Sequence, residues 1–257
     1  MFFSTVSIAD RYCAQLSHRS ITNNTPVEGS ELQLIILSAL CCSLKAVESS
    51  LDLSVKSFLE HVSGGHVLPR DIFATESTIL LALDFNVFSP SLSVYLESFY
   101  FTLSRSSTEM TSGPLEQPAS PRPLPNWALQ QYNLALFLLY LIVFDIGTLH
   151  AARASLVVSA CILTSAFTLC DEKLSALEFQ TIVDALIEAE WIEVNRHNVT
   201  VIVRHMVRFW KRMSSDNGEV FRSVSALFDS DEKLRVNRIA PPRHIAGNDA
   251  KIALSGG

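Results

Sequence analysis

The sequence predicts an all-α chain, on three observations. Leu32 to Lys45 is an apolar run; Ile72, Phe73, Ile79, Leu80 and Leu83 recur at helical spacing; and Leu156 to Thr164 echoes Ile35 to Ser43. In the first run nothing polar larger than serine stands between Gln33 and Lys45, and a helix apolar on every face belongs among other helices. At about a dozen residues it is short of the roughly 20 that cross a bilayer. Its Ser38, Ala39, Cys41, Cys42 and Ser43 are small enough to let neighbouring backbones approach, so a buried central helix is expected. Ser30 with Gln33 makes a capping-box pattern after the Thr25-Pro26-Val27-Glu28-Gly29 turn. At the other end, Lys45 suits the negative pole of the helix dipole.

With 257 residues, 48% hydrophobic and 18% charged, the chain can hold one large core or two smaller ones. A net charge of −6 gives the whole chain no attraction for nucleic acid or an anionic membrane surface. Of the five cysteines, Cys41, Cys42, Cys161 and Cys170 fall in apolar helical runs, where a thiol packs as a small hydrophobe, so a reducing compartment is expected. Asn23-Asn24-Thr25 and Asn198-Val199-Thr200 match the glycosylation pattern, but Met1-Phe2-Phe3 is too short for the apolar core of a secretory signal. The mean hydropathy is +0.26, which keeps a polytopic membrane protein open. Against it, Leu134 to Phe144 stops at Asp145, and Leu156 to Cys170 is diluted by Ser159, Thr164 and Ser165.

In chain order, Phe2 to about Leu16 reads as a helix whose Phe3, Val6, Ile8 and Tyr12 pack on the central one. Leu53 to Val62 is a helix stopped by Ser63-Gly64-Gly65, and Pro69 opens the next, whose apolar stripe carries Glu76 at its middle. An acid on an apolar face needs a partner. Ser89-Pro90-Ser91 leads into a helix through Leu92, Tyr95, Leu96 and Phe99. Ser104 to Asn126 holds five of the ten prolines and reads as a mobile linker and domain boundary. Beyond it, the echo at Leu156 has Ala166 where the first half has Lys45, and each echo follows an amphipathic helix bearing an aspartate, Asp10 or Asp145. Helices follow near Ala176 to Glu190 and Val199 to Met213. Phe221 to Phe228 and Leu234 to Ile239 are expected to pack back on them, and a disordered tail is expected after Pro241.

Leu32-Gln33-Leu34 leading to Ser43-Leu44-Lys45-Ala46-Val47-Glu48 resembles the third helix of the cyclin box. Val55-Lys56-Ser57-Phe58-Leu59, Glu76, Leu83-Asp84-Phe85-Asn86-Val87 and Ser89-Pro90-Ser91 are similar to the rest of that box in order, and Val6 to Tyr12 to its Asp-Arg helix. The resemblance implies two tandem cyclin-like repeats. The first is a box over residues 1–103 without its opening helix, followed by a linker at 104–126, the second repeat at 127–240 and a tail at 241–257. It also implies a divergent mitotic, B-type-like activating subunit of a cyclin-dependent serine/threonine kinase, acting in the cell cycle in nucleus and cytoplasm. The partner is then the kinase catalytic subunit, with no nucleic acid, membrane, small-molecule substrate, cofactor or metal. A cyclin-fold scaffold or transcription-associated factor that activates no kinase is the open alternative.

In cyclins the residues matching Lys45 and Glu76 bridge each other and hydrogen-bond the kinase's regulatory helix. The likeness implies that this pair sets that helix so the kinase's own Lys–Glu ion pair can form. Taken without the family, Lys45 is also a dipole-favoured helix end and Glu76 a solvated acid. Glu48, Lys56 and Phe58 surround a turn that in the family faces the kinase, although Phe58 also fits a core. Val47 replaces one member of the family's acidic pair, and the usual Pro-Pro is absent. Leu32 and Gln33 match part of a substrate-docking groove, while Gln33 has a simpler role in the capping box.

Arg196, His197, Arg204, His205, Arg208, Lys211 and Arg212 make one helix basic, read as a solvated face because no aromatic platform accompanies it. Ser120-Pro121 fits a proline-directed kinase. No Gly-rich phosphate loop, nucleophile elbow, His-Glu-x-x-His, Cys-x-x-Cys or kinase motif is present, and the seven histidines lack ligand spacing.

Overall fold

The computed structural model describes residues 2–20, 29–47, 55–87, 90–109, 126–145, 152–170, 174–191 and 196–242. The described residues are all-helical, with no strand among them. They pack as two compact units, Met1–Ser91 and Leu92–Gly257.

The first unit holds α1 (Phe2–Ser20), α2 (Gly29–Val47), α3 (Val55–Val62) and α4 (Pro69–Ala82). Around α2, one face presents Ile35, Ala39 and Cys42 to Ile8, Ala9 and Tyr12 of α1 and to Ile79 and Leu83 at the end of α4. A second face presents Leu37 and Cys41 to Leu59 of α3 and Ile72 of α4. Between these faces lies Ser38, whose hydroxyl donates to the Leu34 carbonyl at 2.8 Å and across to the Ile72 carbonyl at 3.0 Å. So close an approach of α2 to α4 needs the small residues the sequence supplies there.

The expectation that α2 is buried all round is corrected. Leu32 is 43% and Ile36 45% exposed, because the three neighbouring helices leave one strip of its circumference uncovered. The helix is also longer than expected, 19 residues from Gly29, which puts Ser30 in its first turn and not at its cap. By length and composition its Gly29–Ala46 window could cross a membrane, and packing against α1, α3 and α4 buries 39% of that window.

After α3 the chain turns at Gly64 and Gly65, whose φ of +60° and +77° suit glycine. Pro69 then opens α4. Ile72, Glu76, Ile79 and Leu83 are buried in one stripe. The helix unwinds through Asp84 and Phe85, which take φ of +50° and +58° without being glycine.

The second unit holds α5 (Leu92–Glu109), α6 (Asn126–Ile142), α7 (Ala154–Cys170), α8 (Ala176–Glu188), α9 (Arg196–Asp216), α10 (Glu219–Leu227) and a 3-10 turn, Val236–Arg238. Helix α7 is buried from Leu156 through Ala166 and packs on α5, α6, α8 and α9. The units divide at Ser91/Leu92, one helix ahead of the boundary drawn at 104–126. The reason is α5, whose Tyr95 and Phe99 rings lie 5.8 and 6.0 Å from that of Trp191.

Residues 110–125 of the expected linker and 243–257 of the expected tail lie outside the described residues. Asp145 stands past the end of α6 and not within it, and α6 is mostly buried, so the expected amphipathic helix bearing that aspartate is corrected. Helix α8 carries a capping box in which the Ser175 hydroxyl accepts from the Glu178 N–H at 3.3 Å and the Glu178 carboxylate from the Ser175 N–H at 2.7 Å. Helix α10 and the 3-10 turn pack back on α6, where the Phe137 and Phe228 rings are 5.5 Å apart.

One polar network lies inside this unit. The Tyr100 hydroxyl of α5 donates to the Gln131 Oε1 of α6. The Gln131 Nε2 donates to the Ile162 carbonyl and to Ser165 Oγ of α7, each at 3.0 Å. Burial also holds the Tyr100 phenol well above the ordinary tyrosine range. Tyr100→Phe is expected to lower stability by about 1–2 kcal/mol, because Gln131 then keeps a buried acceptor without its donor. Urea unfolding measures it, and an unchanged midpoint refutes it.

Candidate functional site

The last turn of α2 brings Lys45 against the middle of the α4 stripe. Its ammonium donates to both oxygens of Glu76, at 2.9 Å to Oε1 and 2.8 Å to Oε2. The Glu76 side chain is 8% exposed and that of Lys45 48%. The carboxylate therefore lies within the seam and the ammonium at its mouth. One turn before Lys45, the Cys41 thiol donates to Glu76 Oε2 at 3.4 Å. Nearly one turn before Glu76, the Phe73 ring lies 5.0 Å from the Lys45 ammonium, in cation–π range. The ammonium serves both oxygens of Glu76, and the half-exposed Lys45 side chain keeps it open to the outside of the seam.

Burial works against the Lys45 charge, but hydrogen bonding to Glu76, together with the charges of Cys41 and Glu76, outweighs it and raises the lysine above its ordinary value. A raised pKa means that the stability linked to the Lys45 proton is fully present at neutral pH and is lost as pH climbs through the folded value, above the lysine's ordinary range. Burial, reinforced by the Glu76 charge, pushes the Cys41 thiol up to about 12 and Cys42 up to about 11. Both are protonated at neutral pH, and Cys41 keeps the S–H that it donates.

Of the other expected site residues, Glu48 lies outside the described residues, as does the Lys56 side chain, although the Lys56 backbone belongs to α3. Ser120 also lies outside them. Leu32 and Gln33 are exposed on the uncovered strip of α2. Phe58 packs on the core of Leu37, Cys41, Leu59 and Ile72. Cys41 and Phe73 were not singled out from the sequence; their spacing from Lys45 and Glu76 puts them on the same helix faces, and that signal was available. Leu81 and Phe85, 67% and 63% exposed, form a further apolar feature at the end of α4, where the Phe85 N–H donates to the Leu80 carbonyl at 2.8 Å. Among the described residues no cluster of His, Cys, Asp and Glu could hold a metal ion. No protein-family model matches the chain, and a search of curated proteins finds no match.

Lys45→Met is expected to cost about 1–3 kcal/mol, since Glu76 then stays buried without its cation, and adding Glu76→Leu is expected to restore stability to within about 1 kcal/mol. Urea midpoints of the three variants in a double-mutant cycle decide this; equal effects in single and double variants would refute it. Native Cys41 and Cys42 are expected to resist iodoacetamide at neutral pH, and to react once urea unfolds the chain. Intact mass counts the additions.

Proposed function

We propose that the chain is a cyclin-like regulatory subunit that binds and activates a cyclin-dependent serine/threonine kinase, acting in cell-cycle control in nucleus and cytoplasm and contributing no catalytic group. The Lys45–Glu76 pair receives the kinase's regulatory helix, with the ammonium of Lys45 offered to a backbone acceptor. Helix α2 serves as the rigid base, and Phe85 adds an apolar contact.

The observation that carries this reading is a contrast between the two units. In the first, α2 packs on α1 and α4; in the second, α7 packs on α6 and α9. Ser38 and Ser159 make matching bonds to the carbonyl four residues back, both at 2.8 Å. This parallel supports reading the units as two copies of one helical module.

The buried spacing of Ile72, Glu76, Ile79 and Leu83 recurs in Val199, Val203, Met206 and Trp210. In that register Val203 takes the place of Glu76, and Ala166 that of Lys45. An apolar seam therefore suffices for such a module, and ion pairs of this kind contribute little net stability. The charged pair in the first unit is better explained by recognition than by folding.

Co-purification with cyclin-dependent kinase catalytic subunits, with phosphorylation of a Ser-Pro peptide as readout, tests the proposal. Wild type is expected to bind and activate, and Lys45→Met/Glu76→Leu to fold normally yet bind at least roughly tenfold more weakly. Retention of another partner with no kinase would favour the scaffold reading. Unimpaired kinase binding by the folded double variant would remove the role assigned to the pair.

A further inference from the structure

We propose that the outer face of α9 docks an acidic helical segment of a partner protein on Arg204, Arg208 and Arg212. The three stand at i, i+4 and i+8, so they form one row with about 6 Å between successive residues. All three are exposed, and none forms an ion pair among the described residues. Their local contacts leave the charges uncancelled. Arg208 Nε donates to the Arg204 carbonyl at 3.3 Å, and the Arg212 guanidinium sits 5.3 Å from the Phe209 ring centre. His205, beside the row, is taken by Asp145.

Like charges one turn apart work against a helix, and α9 has no acidic residue before Asp216 to offset them. Elsewhere Arg235 and Arg238 are each paired with an aspartate at 2.9 Å. The opposite side of α9, with Val199, Val203, Met206 and Trp210, is buried and holds the row outward.

Charge complementarity calls for an anion, and the spacing narrows its form. Carboxylates one turn apart on a partner helix match arginines one turn apart, and each guanidinium fork can take a carboxylate through two hydrogen bonds. Val201, 47% exposed at the end of the row, offers that helix an apolar contact. Nucleic acid fits less well, because no stacking platform accompanies the row. A lipid surface fits less well too, because the apolar side of α9 is already buried. This inference stands apart from the Lys45–Glu76 reading and does not require it.

The test titrates the full chain into a fluorescent alanine-based helical peptide with glutamates at i, i+4 and i+8, alongside its glutamine counterpart, and follows anisotropy. Saturable binding is expected for the glutamate peptide, at least roughly tenfold tighter than for the glutamine peptide and weakening as salt rises. Arg204→Gln/Arg208→Gln/Arg212→Gln, with circular dichroism verifying its helix content, is expected to lose roughly tenfold in affinity. Arg208→Gln alone is the fallback if the triple variant fails to fold, with a smaller loss expected. Equal binding of both peptides, no binding, affinity unchanged in a folded variant, or tighter binding of a single-stranded oligonucleotide or anionic phospholipid vesicles overturns the proposal.

Discussion

The first unit depends on how closely α2 approaches α4. Ser38, Ala39 and Cys41 put almost no bulk between the backbones, and the Ser38 hydroxyl crosses to the Ile72 carbonyl at 3.0 Å. That bond and the packing of Leu37 and Cys41 on Ile72 share one stretch of the seam. Further along α2, Cys41 and then Lys45 both meet Glu76. Replacing the small residues with leucines would separate the helices and draw the ammonium away from the carboxylate. The charged pair therefore depends on packing about one to two turns below it on α2.

Local chemistry made much of this legible. The α2 run, the Gly64-Gly65 stop, Pro69 and the stripe with Glu76 each show in a few consecutive residues, and the helices formed there. A lysine in a last turn and an acid on an apolar stripe marked the two residues one by one, and only the resemblance to the cyclin box joined them as a pair. What the chain did not declare depends on distant partners. Proline content suggested a boundary after α5, but Trp191, far along the chain, draws α5 into the second unit. The uncovered strip of α2 follows from the number of its neighbours, which periodicity does not count. Cys41 and Phe73 looked like ordinary core residues because a thiol donor and a ring under a cation have the composition of a core.

The two units solve one packing problem in different ways. Where the first seals its central seam with an ion pair, the second has Ala166 and Val203, and α7 is buried along most of its length. The second unit's row of like charges lies on the outward arginines of α9, remote in sequence from the seam residues of α7. Buried charge in one unit and surface charge in the other are thus separate features, each readable without the other.

A helix as uniformly apolar as α7 has little to choose between one rotation about its long axis and another, since greasy contact is nearly indifferent to angle. Hydrogen bonds are directional. The Gln131 amide, held by Tyr100 on one side and engaging the Ile162 carbonyl and Ser165 on the other, acts as a key that admits a single angular setting of α7. Without that key the second unit would keep its helices and its burial while losing the uniqueness of their arrangement, drifting toward a fluid core.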